Sequence, residues 1–313
     1  MRRSVVLVVV LACNAFTSVY CGAAVHHFTL KAASRRRSMS QHQLALVTSF
    51  PRFDTTPKHR RRELVQAFQM NAALSMFSSA MVFEETTADS TGTFAASISL
   101  YAASEPWSRV EQKGIRRPPF LQVQNVSYQP TYKDIMLKVQ AALGGHVVVV
   151  THADIFFDQT ILCAMKLDGN PDVMLTLSRQ PSPFCPWGSS GSSSTKGEHI
   201  PGNLCEDYLN SHDVFIFQAP AKIDVSALDF HPNDYGAENV FIEAFKLAGY
   251  RVFNPCRDIH ALHHHCYQGF SAGKDHVNHM ILSRRPVDAS GLGGTPWTYN
   301  VRQPPSRLDC SDM

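Results

Sequence analysis

The feature that most constrains the fold is a run of four valines, Val147–Val150, which continues into "THADIFFD". An uninterrupted β-branched run indicates a strand buried on both faces, as strands are in the middle of a parallel sheet. Asp154 follows this strand, and Asp158 comes four residues later. Open parallel sheets bind ligands outside the carboxyl ends of their strands, so the position of Asp154 predicts a ligand site.

The segments around the valine run alternate between strand and helix patterns, which predicts an α/β domain with a mostly parallel central sheet. Residues 43–50 and 80–85 are apolar runs, and residues 62–79 between them have apolar side chains at helical spacing. Further helices are predicted at residues 130–143 and 233–249, and further strands at residues 172–179, 211–220 and 250–255. Residues 86–129 show no clear period.

The amino-terminal residues have the composition of a secretory signal. Residues 1–24 combine a basic start, an apolar centre and small residues at the end, which is typical of a signal peptide or a type II signal anchor. We interpret residues 25–42 as a basic, Ser-rich stem, residues 43–282 as one domain and residues 283–313 as a tail. The predicted location is the secretory pathway, in the Golgi or ER lumen, or outside the cell. The only membrane contact expected is through an N-terminal anchor.

Cysteine content and a glycosylation sequon agree with that location. Six cysteines follow the signal region, and an even number predicts disulfides, with Cys185–Cys205 and Cys256–Cys266 the nearest pairs in sequence. Asn125 begins an N-glycosylation sequon.

The charge pattern and the missing motifs exclude several classes of function. A net charge of +3 is too small to predict nucleic-acid binding. The basic runs Arg35–Arg37 and His59–Arg62 are typical of a solvated basic stem, with a polyanion-binding patch as the alternative. Phosphate-binding glycine loops and a Gly-x-Ser-x-Gly elbow do not occur, which argues against dinucleotide enzymes, P-loop kinases and α/β-hydrolases.

The residues after the valine run are suited to binding a cation. A carboxylate that leaves a buried strand needs a partner, and a divalent cation is one such partner for Asp154. Asp158 is predicted either to share that cation or to cap the helix that begins near Gln159. Imidazoles that bind borderline metals are clustered later in the chain, at His260, His263, His264 and His265.

The stretch "VVVVTHADIFFD" resembles the metal-binding strand end of nucleotide-sugar glycosyltransferases with the GT-A fold, and more narrowly a group with an N-x-D-I-[YF]-F-D motif. The resemblance continues through "PTYKDIM", "SHDVFIF" and "YGAENVFIEAFKLAGYRVFNPCRDIHALHHH". It implies a single GT-A-like, Rossmann-like domain and a nucleotide-sugar donor. It also implies Mn²⁺ or Mg²⁺ on the donor diphosphate, and a glycan, protein or lipid acceptor.

The same resemblance implies a metal and donor site. Asp154 matches the last acid of the metal motif, and His152 matches its first position, where the family has an acid or an amide. The additional metal ligand of the family corresponds to His263 or His260. A bound cation would neutralise the charge that develops on the leaving diphosphate.

Further residues correspond to the acceptor and nucleotide sides of the fold. Glu238 opens a helix where inverting members have a general base, although an acid there also simply suits the helix dipole. Asp213 is a second candidate for contact with the acceptor or donor, and Asp234 is the expected helix cap. By position after the first strand, Arg52 and Asp54 are predicted to contact the nucleotide.

Two other functions remain open at the level of sequence. The first is a secreted metal-dependent hydrolase that uses Asp154, Asp158 and the His cluster, although such enzymes usually supply several paired ligands from different strands. The second is a catalytically silent relative that binds glycans. The departure at His152 favours this second alternative, whereas the retained "GAEN" segment argues against it.

Overall fold

The computed structural model describes residues 44–53, 55–74, 76–86, 120–185, 205, 212–234, 236–266 and 306–310. These residues belong to the unit Gln43–Met313. The predicted signal and stem lie outside the described residues, as does all of the predicted tail except residues 306–310. Within the described part of the chain, no helix is both long and apolar enough to cross a bilayer.

The described residues form ten strands and three α-helices. The strands are β1 (Leu44–Phe50), β2 (Phe77–Glu85), β3 (Phe120–Val126), β4 (Val147–His152), β5 (Ile155–Phe157), β6 (Val173–Leu177), β7 (Gln180–Pro181), β8 (Val214–Gln218), β9 (Arg251–Phe253) and β10 (Ala261–His263). The helices are α1 (Lys58–Ala73), α2 (Tyr132–Ala142) and α3 (Ala237–Leu247), with 3₁₀ helices at Gln159–Leu167 and Val225–Leu228.

Seven strands form the central sheet in the order β3-β2-β1-β4-β8-β6-β9. Strand β8 is antiparallel to its neighbours β4 and β6, whereas the other pairs are parallel. The predicted α/β class with a mostly parallel sheet is therefore confirmed. Because β8 runs in the opposite direction, its amino end lies at the same edge of the sheet as the carboxyl ends of β4 and β6.

Helices cover both faces of this sheet, which explains the continuous apolar runs. Along β1, Leu44 and Leu46 belong to the core formed with α1, whereas Ala45 and Val47 belong to the core formed with α2 and α3. The valine run is divided in the same way between the two faces. Each strand residue is thus buried on one face or the other, as strands are in doubly covered sheets.

Among the differences from the sequence prediction are the bounds of α1 and the presence of β3. Helix α1 occupies Lys58–Ala73 instead of residues 62–79, because Pro57 suits the residue before a helix and Phe77 already pairs with β1. Strand β3 was not predicted, since its exposed and half-buried side chains give no clean alternation at the edge of the sheet. The sequon residue Asn125 is exposed on this edge strand.

A second sheet of three short strands has the order β5-β10-β7. Strand β10 is antiparallel to β5, with His263 opposite Ile155, and parallel to β7. This pairing brings the histidine cluster beside Asp154, although more than a hundred residues separate them in sequence.

The cysteines are joined as Cys163–Cys310, Cys185–Cys266 and Cys205–Cys256. The prediction of disulfides is confirmed, but the pairing of sequence neighbours is wrong. The pairing of β10 with β7 places Cys266 beside Cys185, and long-range topology of this kind decides which cysteines meet. Disulfides are typical of proteins in oxidising compartments such as the secretory pathway.

Candidate active site

Asp154 lies in the turn between β4 and β5 and is only 8% exposed. Its Oδ2 lies 3.0 Å from Nε2 of His263 and also accepts a hydrogen bond from the guanidinium of Arg60 on α1. Its main-chain oxygen accepts a hydrogen bond from the backbone N–H of His264 at 2.7 Å. Asp154 and β10 are therefore held together through both side chain and backbone.

The electrostatic environment keeps this carboxylate charged. Burial favours the neutral acid, but His263 and Arg60 together hold the pKa of Asp154 well below its usual range. Burial, with a contribution from Arg60, lowers the pKa of the neighbouring His265 to about 3. At neutral pH the cluster therefore offers an ionised carboxylate and a neutral imidazole, which are the protonation states that bind metals.

The donor atoms of Asp154, His263 and His265 lie within 4.8 Å of one another. One carboxylate oxygen and two imidazole nitrogens are a ligand set that suits Mn²⁺ or Zn²⁺. Mg²⁺ and Ca²⁺ typically bind sites in which all the ligands are oxygen atoms. The residues present therefore fit a cation at the place where the sequence predicted one.

Asp158 and His260, the other two predicted metal ligands, form a separate pair. Nδ1 of His260 lies 2.8 Å from Oδ2 of Asp158. Asp158 also precedes the 3₁₀ helix Gln159–Leu167 and accepts a hydrogen bond from the backbone N–H of Thr160 at 2.9 Å. The structure thus gives Asp158 the capping role that was the alternative prediction, and does not bring this pair into the Asp154 cluster.

His264 has a structural role within the cluster. Its Nε2 lies 3.1 Å from Oε1 of Gln66 on α1, and its Nδ1 lies 3.2 Å from Oγ of Ser182. Burial lowers the pKa of this imidazole. The two ring nitrogens of His264, which follows β10, therefore contact α1 on one side and the segment after β7 on the other. Its neighbours Cys185 and Cys266 are joined in a disulfide and are not metal ligands.

A second charged group lies at the amino end of β8, where Asp213 is 2% exposed. Its Oδ2 lies 3.2 Å from Nη1 of Arg179, which follows β6, and its Oδ1 lies 3.8 Å from Nδ1 of His152. Burial disfavours the guanidinium charge, but attraction to Asp213, and also to Asp154 and Glu238, raises the pKa of Arg179. Arg179 therefore links the Asp154 cluster to the second charged group.

Glu238 stands in the first turn of α3 and is partly buried. Its Oε2 accepts a hydrogen bond from the backbone N–H of His212 at 2.9 Å. Burial and repulsion from Asp213 raise the pKa of Glu238 to about 8. A carboxyl group with a pKa near neutrality can exchange a proton with a substrate hydroxyl at physiological pH.

The backbone at the start of α3 sets the position of this carboxyl group. Gly236 precedes the helix with φ of 85°, a left-handed conformation that glycine adopts without steric cost. Asp234, predicted as the cap, instead accepts a hydrogen bond from the backbone N–H of His231 at 2.8 Å and stabilises the preceding turn. Helix α3 thus begins after a left-handed glycine without a side-chain cap, and Glu238 is the acid of its first turn.

A small cleft lies beside the Asp213 group, against α2. It is lined by residues of four elements, among them Thr48, Ser49, Tyr132, His152, Asp213 and Pro232. Burial and the carboxylates of Glu238 and Asp213 raise the pKa of the Tyr132 hydroxyl well above its usual range. The hydroxyl of Tyr132 therefore stays neutral beside the charged group.

The predicted nucleotide contacts of Arg52 and Asp54 stay predictions. Arg52 lies directly after β1, and its main-chain oxygen accepts hydrogen bonds from the backbone N–H and the hydroxyl of Thr56, which closes the turn before α1. Asp54 lies outside the described residues.

Arg60 and His265 were not predicted as site residues. Arg60 belongs to the basic run that was interpreted as a solvated stem, but this run forms the first turn of α1. The signal was present, because five basic residues at the positive end of a helix are unfavourable unless an anion compensates them. No comparable signal distinguishes His265 from the other members of the cluster.

Comparison with known proteins gives distant structural neighbours only. No protein-family model matches the chain, and no curated protein matches it. The structure of S. aureus TarS is similar with a TM-score of 0.36 and 11% identity, over 70% of this chain and 35% of TarS. UDP-glucose pyrophosphorylase in complex with UDP-glucose is similar with a TM-score of 0.29 and 8% identity, over 45% of this chain and 58% of that protein. The chain thus spans about a third of TarS, and the fold class rests on the observed strand order.

Proposed function

We propose that this protein is a glycosyltransferase that moves a sugar from a nucleotide-sugar donor to a hydroxyl group of a glycan, protein or lipid in the secretory pathway. The observation that carries the proposal is the pairing of two chemically different centres at one edge of the sheet. One is the cation-binding set Asp154, His263 and His265, and the other is Glu238 with its pKa near 8.

The cation-binding set would hold the diphosphate end of the donor. Asp154 and the two imidazoles would hold Mn²⁺, which supplies charge neutralisation for the leaving diphosphate. The guanidinium of Arg179 is attracted by Asp154 of the first centre and by Glu238 of the second. Arg179 would contact the donor between the two centres. Asp213 fixes the guanidinium of Arg179 through their 3.2 Å ion pair.

Glu238 would act as the general base. In its ionised form its carboxylate accepts the proton of the acceptor hydroxyl while the oxygen forms its bond to the anomeric carbon and the bond to the diphosphate breaks. This is a single displacement and inverts the anomeric centre. The raised pKa makes Glu238 a stronger proton acceptor than an ordinary carboxylate, because basicity increases with pKa.

A second candidate function is supported by the same ligand set. One carboxylate and two imidazoles are also the ligands of catalytic zinc in hydrolases, which keep an open position for water. This alternative requires no nucleotide. Nucleotide dependence therefore separates the two functions.

The test is thermal unfolding of the full chain with a panel of nucleoside diphosphates and nucleotide sugars, each with and without Mn²⁺. A ligand at a hundred times its Kd stabilises the folded state by about 2.7 kcal/mol. We expect a Mn²⁺-dependent shift with one nucleotide class, lost in Asp154→Asn and retained in Asp158→Asn, a matched carboxylate outside the cluster. A shift with Zn²⁺ and with no nucleotide would favour the hydrolase, and retention of the nucleotide shift in Asp154→Asn would contradict the proposed site.

A further inference from the structure

Arg60 is bonded to the carboxylate that would hold a cation in the proposed site. Its guanidinium bonds to Oδ2 of Asp154, the same oxygen that lies 3.0 Å from Nε2 of His263. A divalent cation and a guanidinium repel each other at such distances, so the two cannot share this oxygen without a large loss of affinity.

Arg60 has a second partner that it keeps if it leaves Asp154. Nη1 of Arg60 lies 3.0 Å from Oε2 of Glu63, one turn further along α1. Glu63 is only 5% exposed, whereas the Arg60 side chain is 23% exposed. The guanidinium can therefore rotate away from Asp154 and still keep Glu63 as its counter-ion.

The first turn of α1 is suited to an anion. Five consecutive basic residues, Lys58 to Arg62, stand at the positive end of the helix, and the first turn contains no acid. This arrangement is unfavourable for the isolated helix, and a bound anion would relieve it. Asp154 is the anion that Arg60 contacts in this structure.

We propose that Arg60 is an internal competitor for the cation site, released from Asp154 when the cation binds and then available to the donor diphosphate. The inference rests on the proposed function and adds a coupling to it. The cation alone binds weakly, because it must displace Arg60. A cation and a diphosphate bind cooperatively, because the displaced guanidinium gains a new anionic partner, and the coupling acts in both directions.

The first test measures Mn²⁺ binding to the full chain without nucleotide, by electron paramagnetic resonance of free Mn²⁺. We expect Arg60→Gln to bind Mn²⁺ about tenfold more tightly than the wild type, because the competing charge is gone. Arg62→Gln is the matched control, since Arg62 carries the same charge in the same turn but is exposed. Arg60→Lys keeps the charge and checks that the helix tolerates a substitution here. Its Mn²⁺ affinity should stay close to that of the wild type.

Equal or weaker Mn²⁺ affinity in Arg60→Gln, or the same gain in Arg62→Gln, would overturn the inference. Lack of Mn²⁺ binding by both the wild type and Arg60→Gln would overturn it as well.

The second test repeats the titrations with UDP and with GDP. In the wild type we expect a nucleoside diphosphate to tighten Mn²⁺ binding, and in Arg60→Gln we expect this gain to be smaller. If Arg60→Gln binds Mn²⁺ more tightly but neither nucleotide binds, the competition is supported and the proposed donor class is wrong. If a nucleotide binds with Mn²⁺ equally well in both proteins, the proposed function survives and the role of Arg60 does not.

Discussion

The carboxyl group of Glu238 holds its proton to unusually high pH because it is withdrawn from water and lies beside the Asp213 carboxylate. The single backbone hydrogen bond from His212 favours the charged form but does not outweigh these two effects. The result is a group that titrates near physiological pH, next to the cleft that contains Tyr132 and His152. The proton state of this one residue should therefore control activity and contribute to stability.

We expect Glu238→Gln to lower kcat by about a hundredfold or more, because the variant lacks the proposed general base. In the wild type, kcat/KM should rise with pH through about 8, where Glu238 becomes ionised, and this rise should be lost in the variant. Steady-state rates with the donor identified in the nucleotide panel check both points. Glu243→Gln, on the same helix, is the matched control, and a wild-type pH profile in Glu238→Gln would contradict the assignment.

The same substitution should change how stability depends on pH. The folded state holds the Glu238 proton up to about 8, whereas the unfolded chain releases it near 4.5. Between these values the folded state binds more protons, so the free energy of unfolding falls as pH rises. Glu238→Gln removes this fall, and its advantage over the wild type should grow from pH 4.5 to pH 8 in urea unfolding. A constant difference across this range would show that the pKa of Glu238 is not raised.

At the scale of single residues, local sequence explains part of the site. Asp154 was predictable because a buried strand ends there, and His263 because of the resemblance to glycosyltransferases. Arg60 was not, since 94 residues separate it from Asp154 and only tertiary packing brings the two together. The raised pKa of Glu238 was not predictable either, because it depends on Asp213, which precedes β8 and is 25 residues away in sequence.

Helix α1 is fastened to the segment that follows Asp154 by one buried side chain. Nδ2 of Asn71 donates to the main-chain oxygen of Ile155 at 2.8 Å, and Oδ1 of Asn71 accepts from the backbone N–H of Phe157 at 3.0 Å. Asn71 thus bonds on both sides of one strand residue, as a neighbouring strand would. This attachment fixes α1, and with it Arg60, relative to Asp154, His263 and His265.

We expect Asn71→Ala to lower the free energy of unfolding by about 2–4 kcal/mol, because it leaves two buried backbone groups without a partner. Urea unfolding followed by circular dichroism measures the loss. Asn170→Ala is the control, since Asn170 is exposed and bonds only to nearby main-chain oxygens. Equal losses in the two variants would show that the attachment of α1 to β5 contributes little.

At the scale of elements, periodicity predicted the parts that are long or fully buried. The valine strand and helices α2 and α3 occur where their patterns placed them. Strands β5, β7 and β10 were not predicted, because runs of two or three residues have no measurable period. Their existence depends on pairing between distant segments, and this pairing positions His263.

At the scale of the whole molecule, two of the disulfides differ in whether they hold a segment that carries the proposed ligand residues. Cys185–Cys266 joins the segment after β7 to the residue that follows the histidine cluster. Cys163–Cys310 instead joins the 3₁₀ helix after Asp158 to the described segment near the end of the chain. The first therefore restrains His263 and His265, whereas the second restrains a part of the core with no ligand residue.

Replacing Cys185 and Cys266 together with alanine should lower the free energy of unfolding by about 2–4 kcal/mol and also weaken Mn²⁺ binding. The loss of binding follows because β10 loses one of its attachments. The double alanine variant of Cys163 and Cys310 is the matched control, with a similar loss of stability and unchanged Mn²⁺ affinity. Calorimetric titration and urea unfolding provide the two measurements. Equal Mn²⁺ affinities in both double variants would contradict this role of Cys185–Cys266.

The fold class could be predicted from the sequence, but the strand directions and the disulfide partners could not. The alternation of patterns predicted the α/β sheet, and an even cysteine count predicted disulfides. The antiparallel direction of β8 and the three disulfide partners depend on which distant segments meet, and one sequence contains no direct record of those contacts.

The basic first turn of α1 makes the molecule sensitive to ionic strength in two opposite directions. Dissolved salt screens charges beyond about 8 Å at physiological concentration and beyond about 3 Å at 1 M. Screening reduces the mutual repulsion from Lys58 to Arg62, so the folded helix gains stability as salt is added. The same screening weakens the attraction of this turn for a negatively charged ligand. Salt concentrations that relieve the repulsion within this turn are therefore those at which it attracts an anion least.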